Sequence, residues 1–171
     1  MGLGVQLNNK VLRHQTGHMV DLASIFGRDA EISMVIDFLL SEKENSFSVI
    51  SIVGKGGLGK TIIAQLVYND ERVTRCFDLL AWVCVSEEFD VKRVIKATIE
   101  SISKTNCGVS ELSPLQKELA ETVKGKTILI VLDDVWNENQ SLWELLKVPF
   151  KEAKLVRILV TTRNTKVADV M

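Results

Sequence analysis

Eight residues, Gly54-Lys55-Gly56-Gly57-Leu58-Gly59-Lys60-Thr61, restrict the fold of this chain more than any other stretch does. They match the pattern G-x-x-x-x-G-K-[ST] at every fixed position, and that pattern has meaning only where a strand runs into it and a helix runs out. Both neighbours read that way. Phe47 to Val53 alternates apolar and small residues and is rich in β-branched side chains, as a buried strand is, while Ile62 to Val67 carries apolar residues compatible with a buried helix. The alternative is a glycine-rich turn that merely links strand to helix. At ordinary glycine content a chain this long meets the pattern by chance roughly 1% of the time, so the flanking pattern decides for a phosphate-binding loop.

The residue types follow from what such a loop does. Wrapping a polyphosphate requires backbone N–H groups that point inward and a chain that approaches the ligand closely, which Gly54, Gly56, Gly57 and Gly59 permit. A helix beginning near Gly59 adds free N–H groups and about half a positive charge at its N-terminus. Lys60 then brings an ammonium to the β- and γ-phosphates, and the Thr61 hydroxyl is a ligand for Mg²⁺.

Composition narrows the class. The 171 residues are 46% hydrophobic, enough for one core in a single domain or part of a larger protein. With 21 basic and 22 acidic residues the net charge is −1, which leaves no electrostatic footprint for nucleic acid or an anionic membrane. Cys76, Cys84 and Cys107 are odd in number and lack C-x-x-C spacing, so neither a disulfide framework nor a zinc site is expected, and a reducing, cytoplasmic setting fits. Cys84, inside an apolar run, is expected in the core. The longest apolar runs are too short to span a bilayer, and the N-terminus has no secretory apolar block. Gln6 stands where a myristoylation signal needs Ser or Thr.

Taken in order, residues 1–24 show no period and read as a linker or the tail of an upstream region. His14 and His18 lie four apart, but no third ligand stands at zincin spacing, and two solvated histidines are the simpler reading. Asp29 is expected to cap a helix whose buried face is Ile32, Val35, Ile36, Leu39 and Leu40. Arg28 precedes the helix and strand that feed the glycine loop, so a nucleotide contact is open to it. Leu79 to Val85 reads as a second buried strand. Asp90 caps the next helix, with Val94, Ile95, Thr98, Ile99 and Ile102 on one face. Ser113-Pro114 is expected to open a further helix carrying Leu115, Leu119 and Val123 and stopped by Gly125. Leu142, Trp143, Leu145 and Leu146 mark a short helix ended by Pro149, and Asn164 or Thr165 caps a last one.

The second informative stretch is Thr127 to Asp134, a continuous apolar strand that ends in two carboxylates. Continuous apolarity means burial on both faces, so the acids emerge at the carboxyl end, where open α/β sheets bind ligands. There Asp133 would hold Mg²⁺ through water opposite Thr61, and Asp134 would orient or deprotonate an attacking water. Adjacent acids also begin ordinary turns. The last strand, near 157–162, releases Arg163 at the same end, where a guanidinium would sense a γ-phosphate or simply be a surface charge. No N-K-x-D guanine signature occurs, so adenine is the favoured base.

GKGGLGKT, FDLLAWVCVSEEFD, TILIVLDDVWNE and RILVTTRN, in that order and spacing, resemble the nucleotide-binding (NB-ARC) domain of plant NB-LRR disease-resistance proteins, with VCVSEEFD and DDVW like the coiled-coil branch. The resemblance covers residues 25–171. It implies an α/β, three-layer P-loop NTPase fold with a parallel four-stranded sheet in the order 2-3-4-1, cut off before a fifth strand and open at the phosphate-loop strand. It implies an ADP/ATP switch, at most a slow ATPase, in pathogen defence. Lys60 and Thr61 become the phosphate and Mg²⁺ residues, Asp133 the metal-associated acid, Asp134 the catalytic acid assisted by Lys60, Arg163 the γ-phosphate sensor, and Phe26-Gly27-Arg28 the loop beside adenine. Ile62, a nucleotide-binding position where the family usually has threonine and where the change bears on α-phosphate contacts, and Lys55, where it is usually uncharged, depart from the pattern. The GLPL and MHD motifs of the family's further subdomains, its leucine-rich repeats and its coiled coil do not appear, so these would be partners supplied by a full-length protein, alongside other defence proteins. Two rival readings are a fragment that acts only as an interaction module or not at all, and a metabolic P-loop kinase, disfavoured because no acceptor lid is evident.

Overall fold

A computed structural model describes residues 27–42, 45–55, 59–85 and 87–171, and the statements below concern these. The linker expected over 1–24, the pair His14 and His18, Phe26, and the loop glycines Gly56 and Gly57 lie outside them.

Four parallel strands, β1 (Phe47–Val53), β2 (Leu79–Cys84), β3 (Thr127–Asp133) and β4 (Leu155–Thr162), form one sheet in the order β1-β4-β3-β2. That is the expected 2-3-4-1 arrangement. Register puts Val53 beside Thr162 and Cys84 beside Asp133, so the carboxyl ends of all four strands share one rim. The continuous apolar runs are explained by layering, because successive side chains of a strand point to opposite faces. From β3, Ile128, Ile130 and Leu132 enter one core and Leu129 and Val131 the other.

The first core is closed by α4 (Val91–Ser103), α5 (Leu112–Val123), α6 (Gln140–Lys147) and α7 (Thr165–Val170), through residues such as Ile95, Leu119, Trp143 and Val167. The second is closed by α1 (Asp29–Leu40), α2 (Lys60–Asn69) and α3 (Glu71–Cys76), through Ile36, Leu39, Val67 and Val73. The fold is therefore a three-layer α/β sandwich of the P-loop kind. Each fully buried Leu, Ile or Val contributes about 1.5–3 kcal/mol.

Local signals act mostly as expected. Asp90 caps α4 by accepting from the Lys92 and Arg93 amides, and Asn164 caps α7 by accepting from Lys166. Gly125 ends the connection after α5 at φ +68°, a left-handed conformation that glycine adopts without strain. Three details differ. Arg28, not Asp29, occupies the N-cap of α1, and Asp29 is its first residue, placed to meet the positive end of the helix dipole. Helix α5 begins at Leu112 rather than at Ser113-Pro114, because the first-turn amides lack helical partners and proline costs nothing there. Cys84 is half-buried rather than a core residue. The short helix α3, capped by Asp70 through the Arg72 amide, has no counterpart in the sequence reading.

Candidate functional site

At the shared rim the loop leaves β1 with the Gly54 amide still paired to the Thr162 carbonyl at 3.2 Å. Gly59 is the N-cap of α2 at φ 75°, ψ 24°, where a side chain would be strained. A Cβ built on it would also stand 3.6 Å from the Arg28 guanidinium carbon, so Arg28 lies over the end of the phosphate loop. Arg28 pairs with Glu31 at 3.3 Å. Lys60, the first residue of α2, folds back and donates to the Lys55 carbonyl at 2.8 Å. Its pKa is pushed below the usual lysine value, first by burial and next by the Arg163 charge, with Asp134 and Asp133 opposing and Arg28 adding to the fall. Both carboxylates and both guanidiniums thus lie within its field.

One turn into the site, the Thr61 hydroxyl donates to Asp133 Oδ1 at 2.9 Å across 72 positions of sequence. Thr161 donates to the same oxygen at 2.6 Å. Asp133 itself is 1% exposed. Ile62 is half-buried on α2 behind Thr61. Sequence reasoning singled out Thr61 and Asp133 but not Thr161, which reaches Asp133 from the adjacent strand.

Asp134 takes φ 61°, one of two non-glycine residues at positive φ among the described residues. Its amide donates to Thr161 Oγ1 at 2.8 Å, the Val135 amide to the Thr161 carbonyl at 2.9 Å, and Thr162 Oγ1 to the Val135 carbonyl at 2.6 Å. The turn after β3 is therefore riveted to the end of β4. The Asp134 carboxylate accepts from Trp136 Nε1 at 3.2 Å and lies 3.9 Å from Arg163 Nε. The Arg163 guanidinium sits 5.5 Å from the centre of the Trp136 ring. So Lys60, Thr61, Asp133, Asp134 and Arg163 converge, with Thr161 and Trp136 added by the structure.

Beside the loop, a cavity of about 540 Å³ runs between the free side of β1 and α1, lined among others by Arg28, Met34, Phe38, Ile52, Gly54 and Lys60. A second, of about 360 Å³, lies between β2 and α4, away from the loop. No helix among the described residues is long and apolar enough to cross a membrane.

The chain is similar to known proteins along most of its length. The chain is 43% identical over 169 residues to Disease resistance protein RGA2 of Solanum bulbocastanum, covering 96% of this chain and 17% of that protein. It is 43% identical over 164 residues to Putative disease resistance RPP13-like protein 1 of Arabidopsis thaliana, covering 93% and 16%. The chain thus spans about a sixth of the length of these relatives. Among solved structures, a chain from the structure of Drosophila ORC bound to DNA matches with a TM-score of 0.61 at 11% identity, over 92% of this chain and 42% of that one, a likeness of fold alone. Residues 28–171 match the NB-ARC domain, and the chain belongs to that family.

Proposed function

We propose that this chain is the phosphate-holding part of an adenine-nucleotide switch in plant disease resistance, acting in the cytoplasm, with ADP and ATP as ligands and at most slow hydrolysis. The observation that carries the reading is the Thr61–Asp133 pair at 2.9 Å, set beside a lysine that donates to the Lys55 carbonyl. The donor set fits Mg²⁺: a hydroxyl and a carboxylate are hard oxygen ligands, and Mg²⁺ is usually held by one or two carboxylates together with substrate phosphates. When bound, Mg²⁺ would neutralise charge on the phosphate oxygens.

The protein groups divide the remaining work. Lys60 and the loop amides bind phosphate, and Thr161 fixes the orientation of the Asp133 carboxylate. Asp134, at the end of a rigid turn, is placed to orient or deprotonate water. Arg163 supplies a cation for a terminal phosphate, and Arg28 contacts the nucleotide beyond Gly59. The further subdomains and leucine-rich repeats of a longer protein would cover the nucleotide and read its state.

Calorimetry with ADP and Mg²⁺ tests this. Binding is expected in the wild type and lost in Lys60→Ala, and undiminished affinity in the variant overturns the site. Because the Lys60 pKa is lowered, affinity should be full at neutral pH and fall as pH rises through that pKa, earlier than for an ordinary lysine. A wild-type chain that binds no nucleotide would instead favour an interaction module.

A further inference from the structure

The Asp134, Trp136 and Arg163 side chains form a closed triangle. The indole N–H of Trp136 holds the carboxylate at 3.2 Å, its ring face holds the guanidinium at 5.5 Å, and the two charges face each other at 3.9 Å. The backbone under this triangle is held by Thr161 and Thr162, which anchors the turn that carries the carboxylate if the guanidinium moves. Arg163 is half exposed, at 49%. Its charge reaches Lys60, so an anion bound at Lys60 is within range of it.

We propose that Trp136 is a positioning residue that sets the discrimination between nucleoside tri- and diphosphate, by holding Arg163 against Asp134 until a third phosphate competes for it. This rests on the nucleotide reading above. A diphosphate bound at Lys60 leaves the triangle closed. A triphosphate adds negative charge toward Arg163, which exchanges the Asp134 carboxylate for phosphate oxygens and leaves the indole face. The strength of the ring contact at an exposed site, worth about two- to fivefold in an equilibrium, is then subtracted from triphosphate affinity and not from diphosphate affinity.

The experiment measures dissociation constants for ADP and for a non-hydrolysable ATP analogue, both with Mg²⁺, in wild type, Trp136→Phe and Trp136→Ala. In Trp136→Ala the ratio of triphosphate to diphosphate constants should fall about two- to fivefold. Trp136→Phe, which keeps a ring face and deletes the N–H, should show a smaller fall. The wild-type indole emission should change with the triphosphate more than with ADP, and that difference should vanish in Trp136→Phe, since of the other two tryptophans Trp143 is buried at 1% exposure and Trp82 lines the cavity between β2 and α4, away from the loop. Equal loss of affinity for both nucleotides in Trp136→Ala would show a merely structural role and overturn the proposal, as would an unchanged ratio. If the wild type binds neither nucleotide, the reading of the whole site falls and this inference with it; if it binds both and only the ratio fails to move, only the role of Trp136 falls.

Discussion

The two outer strands of the sheet are treated differently. On one side, β2 runs beside α4, whose thirteen residues pack along it, and Ser101 Oγ accepts the edge amide of Trp82 at 3.0 Å. On the other, β1 pairs only with β4 among the described residues, and its outward side faces the cavity bordered by α1. Apolar groups stay in view there, with Met34 67% and Val53 39% exposed. A bare strand edge is a template for another chain, and proteins normally cover, charge or shorten it. The helix-covered side, where a cavity remains between β2 and α4, is remote from the phosphate loop, and the open side adjoins it. A strand that paired with β1 would therefore also border the loop.

Substituting one isoleucine on each side tests this contrast most strongly. Ile95→Ala removes a fully buried anchor of α4 and should cost about 2–5 kcal/mol in urea unfolding. Ile50→Ala, on half-buried β1, should cost less than about 2 kcal/mol, since the lost contacts scale with burial. Equal losses would mean that the β1 side is as well packed as the other. A smaller effect is expected from Ser101→Ala, which deprives the Trp82 amide of its acceptor; about 1 kcal/mol is expected from the same unfolding curves. No loss would show that water replaces Ser101 and that the covered edge is less sealed than its contacts imply.

The smallest effect on stability belongs to the open side. Val53→Lys should leave stability within about 0.5 kcal/mol yet reduce concentration-dependent self-association in sedimentation, because a charge on an edge strand blocks pairing. A wild-type chain that stays monomeric throughout the concentration range would remove the distinction between the two edges.

Much of this arrangement is legible in the sequence. The four strands announce themselves by β-branched, continuous or alternating apolar runs, and their order follows from the family resemblance. The caps Asp90 and Asn164 need only local chemistry. Helix α3 escapes notice because it has six residues and buries only Val73, too little to set up a period. Arg157 is the sharper failure. The sequence reading places β4 near 157–162, whereas the strand begins at Leu155 and Arg157 is 2% exposed. Its guanidinium donates to the carbonyls of Asn45 at 3.1 Å, Val156 at 3.3 Å and Ser41 at 3.5 Å, while Nε has no partner among the described residues. Burial lowers its pKa. Two of these acceptors lie more than a hundred residues away in sequence, so no local pattern records them. Thr161 and Trp136 are missed for the same reason: the first acts on a neighbouring strand, and the second is defined by what it touches.

The left-handed backbone of Asp134 has a consequence for how variants at this position are read. Alanine substitution, the usual way to erase a carboxylate, would there alter two properties at once, since alanine pays about 1–2 kcal/mol for a φ of this sign that aspartate and asparagine tolerate better. Part of any defect would then come from a turn that no longer holds its shape, and would spread through Thr161 to Asp133, making the two acids look interchangeable. Asparagine at 134 keeps the shape and deletes only the charge. The gap between the alanine and asparagine phenotypes is thus a direct measure of how much of the residue's importance is geometry and how much is chemistry.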